Sequence, residues 1–166
     1  IHNVLAGYAK YSGQSVATLF GDIEKFYDNV GHVALQQGGE QVGFPKKLME
    51  AYCGLYEGPR AIAFEKAVSE AFDAVGTILP GCSAATTMAK VLLFRLLKST
   101  AKGFPSLHLK NVVDDVSIQA TGSESFVATA LARAGKWFAN GIGKLGLPLS
   151  GVKTVFTASS ASLGQK

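Results

Sequence analysis

The apolar positions of this chain fall into alternating runs of two kinds, one with strand periodicity and one with helix periodicity. Residues 2–13 have the composition of a short helix that stops near Gly13. Val16 to Phe20 is a compact apolar run with β-branched members, bounded by Gly13 and Gly21, and it predicts a buried strand delivering Asp22 at its end. Residues 30–42 are weakly helical and carry three glycines. Pro45 is placed to open a second helix, with Leu48, Tyr52 and Leu55 on one face and Gly58 as the stop. Arg60 to Phe64 predicts a strand, and 66–75 the other half of a hairpin. Ser83 is expected to cap a long helix to about Lys102, whose apolar face includes Met88, Leu92 and Leu96. Leu107 to Val113 and Val116 to Ala120 predict two strands turning at Asp114 and Asp115. Ser123 or Ser125 then caps a helix with Val127, Leu131, Ala134, Phe138, Ile142 and Leu145 at helical spacing, ended by Gly146, and Val152 to Ala158 predicts a last strand.

In chain order, these elements approach the β-α-β-β-α-β plan of ferredoxin-like folds. The expectation is an α+β domain, an antiparallel sheet with helices packed on one face.

Composition narrows this only modestly. The 166 residues suit one domain, and 48% are hydrophobic, enough for a core. Only 17% are charged, which implies apolar surface normally covered by neighbouring segments or a partner. The net charge of +4 suits a polyanionic partner without demanding one. No apolar run approaches the roughly 18 residues of a membrane span. Cys53 and Cys82 have no CxxC spacing, which argues against a zinc site or a disulfide framework. The chain opens on Ile1 and stops without a clear ending, so it reads as part of a longer protein: 1–160 as the folded region and 161–166 as a truncated tail.

The chemistry rests on acids at strand ends. Asp114 and Asp115 sit at an apolar hairpin tip that lacks the usual Asn and Gly turn formers. Adjacent carboxylates there repel each other, a cost that a bound divalent cation removes. Asp22 ends a buried strand of its own. If the two strands are neighbours, Asp22 and Asp114 meet at one sheet edge. Mg²⁺ favours such oxygen ligands together with substrate phosphates. Two ions about 3.5–4 Å apart stabilise the attacking and leaving oxygens of an in-line phosphoryl displacement.

The surrounding residues make the pattern specific. The run from Asp22 to Val30 (DIEKFYDNV) resembles motif A of reverse transcriptases, in particular the group II intron and non-LTR retrotransposon branch. Residues 76–86 (GTILPGCSAAT) resemble motif B, 112–115 (VVDD) motif C, and 145–154 (LGLPLSGVKT) motif D. Each is weak alone, but all four stand in family order over residues 22–154. The resemblance implies a polymerase palm that transfers a dNTP to a primer 3′-OH, using two Mg²⁺ ions or Mn²⁺. Asp22 and Asp114 would bind both metals, Asp115 would support them, and the Ile23 carbonyl would add a ligand. Lys153 matches the motif D lysine, which donates a proton to the leaving pyrophosphate. Tyr27 falls on the steric gate for the sugar 2′ position, beside Phe26, which either joins that pocket or packs. Gly81 and Pro80 lie where motif B passes the nascent pair, and Asp28 braces the loop.

The sequence departs from the family at Val112, where an aromatic is usual, at Pro80, where Gln is usual, and at Ala85 and Thr86 in place of Ser-Pro. The gap from Gly76 to Gly81 is one residue longer than usual. Expected partners are an RNA template, a DNA primer, dNTPs and the fingers and thumb of a parent polyprotein, with no membrane. The expected location is intracellular, nuclear for a eukaryotic element and cytoplasmic otherwise. The competing readings are a catalytically degenerate palm kept for nucleic-acid binding or assembly, another palm-type enzyme such as an RNA-dependent RNA polymerase or nucleotide cyclase, and a plain RNA-recognition module. The last should carry stacking aromatics on its strands, and none is expected because Val112, Val113 and the run from Val16 to Phe20 read as buried.

Overall fold

The computed structural model describes residues 7, 11–73, 76–160 and 163. The chain divides into two compact units, residues 1–24 with 96–166, and residues 25–95. Most of the expected first helix lies outside the described residues, although Gly7 and Tyr11 are helical and Gly13 turns the chain with φ 69°.

The first unit is built on four strands: β1 (Ser15–Asp22), β4 (His108–Val112), β5 (Asp115–Gly122) and β6 (Val155–Ala158). Their order is β4-β5-β1-β6, antiparallel throughout. With the split connection between β1 and β4, this is the strand order of the ferredoxin-like plan. The expected α+β architecture is therefore present, with helices packed on the sheet. Alternation along the strands explains why. Ala17, Leu19 and Gly21 of β1 share a face with Ala120, Ile118 and Val116 of β5. Helix α5 (Glu124–Lys144) covers that face with Val127, Leu131, Ala134, Phe138 and Ile142, all buried. The Ser123 hydroxyl accepts the Phe126 N–H at 3.3 Å, as an N-cap should. Two glycines set the approach. A Cβ on Gly135 would lie 2.9 Å from Leu19 Cδ2, and one on Gly141 would overlap Leu96. Leu163 is buried as well.

The face turned away from α5 mixes polar and apolar side chains. It carries Thr18, Phe20 and Asp22 on β1, opposite Gln119, Ser117 and Asp115 on β5. Gln119 Nε2 donates to Thr18 Oγ1 at 3.1 Å, so these two buried polar side chains satisfy each other.

The second unit contains α1 (Phe26–Asn29), α2 (His32–Val42), α3 (Lys46–Glu57), the short hairpin β2 (Ala63–Phe64) and β3 (Ala67–Val68), and the start of α4 (Ala85–Gly103). Two expectations need correcting. Pro45 is the N-cap of α3, and the buried face is Met49, Cys53 and Tyr56, while Leu48 and Leu55 are exposed. The buried stripe lies one residue out of phase with the expected one, because Met, Cys and Tyr fill the core as well as Leu does. Likewise α4 begins at Ala85, not directly after Ser83. Gly38 permits close packing, since a Cβ there would meet the Leu92 backbone at 3.4 Å.

Candidate active site

Where β4 turns into β5, Val112 pairs with Asp115, so the two turn residues are Val113 and Asp114. The expected turn at Asp114 and Asp115 is thus displaced by one residue, and Asp115 is the first residue of β5. Val113 takes φ 60°, a left-handed conformation that a β-branched residue rarely adopts. Asn111 Nδ2 holds it there by donating to the carbonyls of Val113 at 3.0 Å and Asp115 at 3.3 Å.

That register sets the carboxylates. Asp115 stands directly opposite Asp22. Side chains so paired have Cβ atoms about 4.5–5.5 Å apart, and like charges there destabilise the ladder. Asp114 is half-buried in the adjoining turn. Lys153 Nζ lies 4.0 Å from Asp22 Oδ2. Its side chain is 74% exposed, so this contact offsets the repulsion only weakly.

Backbone bonds place Lys153 there. Ser150 N–H donates to the Asp22 carbonyl and Glu24 N–H to the Pro148 carbonyl, both at 2.9 Å, around an Ile23–Leu149 bridge. Asp22 N–H donates to Thr154 Oγ1 at 3.4 Å, and Lys153 N–H to Ser150 Oγ at 3.2 Å. In such a ladder the N–H and carbonyl of Ile23 point away from the 148–150 segment, while its side chain is buried.

A cavity of about 430 Å³ opens over this face, lined among others by Phe20, Asp22, Lys110, Val112, Asp115 and Lys153. Among the described residues, no three His, Cys, Asp or Glu side chains form a preformed metal cage. The donor set of the cavity is the two facing carboxylates, Asp22 and Asp115, whereas Asp114 stays in the turn and is not among the lining residues. This set fits a hard cation of the Mg²⁺ type, which takes one or two carboxylates and completes its shell with water and phosphate.

The remaining predicted site residues belong to the second unit. Phe26 is buried and meets the half-buried Tyr27 edge-to-face, with ring centroids 5.4 Å apart. Ile78 N–H donates to the Tyr27 carbonyl at 2.8 Å, tying the segment after β1 to the 76–86 loop. In that loop Pro80 and Gly81 are exposed. Gly81 has φ 83°, and a Cβ added to it would meet open space, so its backbone angle, and no crowding within the chain, calls for glycine. Cys82 follows it. Hydrogen bonds from the Ala84 amide, and then from the Tyr56 hydroxyl at 3.6 Å, hold its thiol below the usual range.

Two residues escape a reading of the sequence. His32 is buried between Glu57 Oε1 (2.8 Å from Nδ1) and the Thr77 carbonyl (3.0 Å from Nε2), pinning α2 to α3 and the 76–86 loop. Lone histidines carry no signal of this kind. Lys110 enters the carboxylate cavity through strand register, which a turn placed one residue late conceals.

Comparison with known proteins agrees at the level of fold. No family profile matches the chain, and no curated protein is significantly similar to it. Telomerase from Candida tropicalis, in complex with the TWJ fragment of telomeric RNA, superposes with TM-score 0.68 and 14% identity over 96% of this chain and 30% of that one. An apo form of the same telomerase, truncated from the C-terminal domain, gives 0.65 and 14% over 96% and 35%. The apo structure gives 0.61 and 14% over 88% and 29%. The chain thus spans about a third of these telomerase chains and has a reverse-transcriptase-like fold.

Proposed function

We propose that this chain is the palm of an RNA-directed DNA polymerase, of the group II intron and non-LTR retrotransposon type, and that it joins a dNTP to a primer 3′-OH on an RNA template. The observation that carries the reading is the pairing of Asp22 with Asp115, next to Asp114 and within reach of Lys153. Among the described residues, these two facing acids have one exposed lysine as their ion-pair partner. They are electrostatically incomplete, and a divalent cation with substrate phosphates completes them.

Asp22, Asp114 and Asp115, with the Ile23 carbonyl, would hold Mg²⁺ or Mn²⁺. Such ions, when bound, neutralise the charge that develops on the attacking and leaving oxygens. The protein's own part is positioning. The β1–β5 ladder fixes two carboxylates rigidly, and the Ser150 and Pro148 bonds carry Lys153 to them, where its ammonium donates a proton to departing pyrophosphate. Tyr27 screens the sugar 2′ position by clash with an extra hydroxyl, with Phe26 behind it and Pro80 and Gly81 along the nascent pair. The RNA template, DNA primer and dNTPs are the proposed ligands, in an intracellular setting.

Primer extension by the full-length protein tests this. Asp22→Asn and Asp114→Asn should each reduce dNTP incorporation to background without altering the circular dichroism spectrum. Tyr27→Ala should raise incorporation of NTPs relative to dNTPs. Full activity in Asp114→Asn sinks the catalytic reading and favours a palm retained as a nucleic-acid-binding or assembly module, for which Pro80 and Val112 already speak.

A further inference from the structure

We propose that Lys110 and Phe20 hold the nucleic-acid strand whose end is presented to the carboxylates, Lys110 through a backbone phosphate and Phe20 through the face of a base or sugar; the proposal rests on the nucleotidyl-transfer reading. Strand register aligns these two residues. Lys110, Ser117, Phe20 and Val155 form one row across β4, β5, β1 and β6. The next row on the same face is Val112, Asp115 and Asp22. Rows two residues apart are separated by about 6.6 Å along the strands, and Lys110 and Phe20 stand two strands apart, about 10 Å.

The chemistry of the row is that of a strand-binding surface. Lys110 is exposed, and its ammonium has no hydrogen-bond or ion-pair partner among the described residues. Phe20 is 39% exposed and is the aromatic member of these two rows, whose other apolar members are Val112 and Val155. Both line the cavity that contains Asp22 and Asp115. Sites for single nucleic-acid strands combine a cation for the backbone with an aromatic for the base. An apolar peptide laid here would bury Lys110 and both acids unpaired, at high cost. A polynucleotide answers both signs of charge, its phosphates meeting Lys110 and sharing a cation with the carboxylates.

The test is fluorescence anisotropy of a labelled single-stranded oligonucleotide with the 166-residue chain, without divalent cation or nucleotide, across a salt series. Lys110→Ala should weaken binding about fivefold and reduce the slope of log affinity against log salt by about 0.7, while Lys110→Arg keeps both. Phe20→Ala should weaken binding about tenfold at an unchanged slope, with Phe20→Trp restoring it. Melting temperatures matching the parent chain exclude misfolding. An unchanged slope in Lys110→Ala, unchanged affinity in Phe20→Ala, or no binding by the parent chain at low salt each overturns the inference. Loss of these binding effects while the full-length protein still transfers dNTPs sinks this inference alone, whereas absence of transfer with the binding effects present sinks the parent reading.

Discussion

Val113 concentrates the backbone strain of the carboxylate hairpin. A left-handed conformation costs an L-residue about 1–2 kcal/mol, and glycine escapes that cost while losing about 0.5–1 kcal/mol of chain entropy. Val113→Gly should therefore stabilise the chain by roughly 0.5–1 kcal/mol, read as a melting temperature about 2 °C higher. A lower melting temperature would mean that packing of the Val113 side chain outweighs its strain. The two thiols differ just as locally. Amide and Tyr56 hydrogen bonds lower the Cys82 thiol, whereas burial raises that of Cys53. Since the thiolate is the nucleophile, Cys82 carries more reactive form at neutral pH, and it is also the more accessible. Limited iodoacetamide treatment followed by peptide mass spectrometry should find Cys82 labelled well before Cys53, and equal labelling would refute this.

Contact between α5 and the sheet depends on small residues where helix and strand come closest. Gly135 faces Leu19, and Gly21 faces Phe138, whose ring lies 3.6 Å from a Cβ built at Gly21. A branched side chain at Gly135 must push α5 off β1 or force Leu19 from its rotamer. Gly135→Val should cost about 1–3 kcal/mol by overpacking, measured as a fall in denaturant midpoint with the slope unchanged. An unchanged midpoint would show that α5 can slide on the sheet. α3 shows the limit of reading such faces from pattern. Leu48 and Leu55 are the more hydrophobic choices, yet Met49, Cys53 and Tyr56 face the core. In a helix with apolar residues at both phases, the neighbour decides which phase is buried. By contrast, the buried stripe of α5 follows the expected one from Val127 to Ile142, with Ser123, one of the two expected caps, at its start and Leu145 outside it as the C-cap.

At the scale of the whole molecule, the chain holds the carboxylate sheet and about a third of the length of the telomerase chains it resembles. Transfer needs template, primer and nucleotide clamped in line, and orientation of this kind accounts for a large part of the barrier in such reactions. The 166-residue chain alone should therefore extend a primer no better than background, even where the full-length protein is active. Robust dNTP incorporation by the isolated chain would contradict this.

Local pattern is enough to establish the composition of the sheet and the order of its elements. β-Branched runs ending in Asp22 and following Asp115 can bury themselves only as strands, and the Ser123-capped stripe only as a helix packed on them. The same pattern marks every acid of the candidate site, because carboxylates at the ends of apolar strands are costly without a counter-charge. Which acids face each other is a matter of tertiary pairing. Moving the hairpin turn from Asp114 and Asp115 to Val113 and Asp114 slides β4 by two residues along β5, which keeps every side chain on its face but pairs Lys110 with Ser117 instead of Gln119. That step brings Lys110 into the row beside the acids, and the separate register of β1 on β5 sets Asp115, not Asp114, opposite Asp22. The left-handed Val113 that makes this turn is disfavoured by local sterics, so local preferences argue against it; the pairing of β1 with β5 and the Asn111 bonds hold it in place.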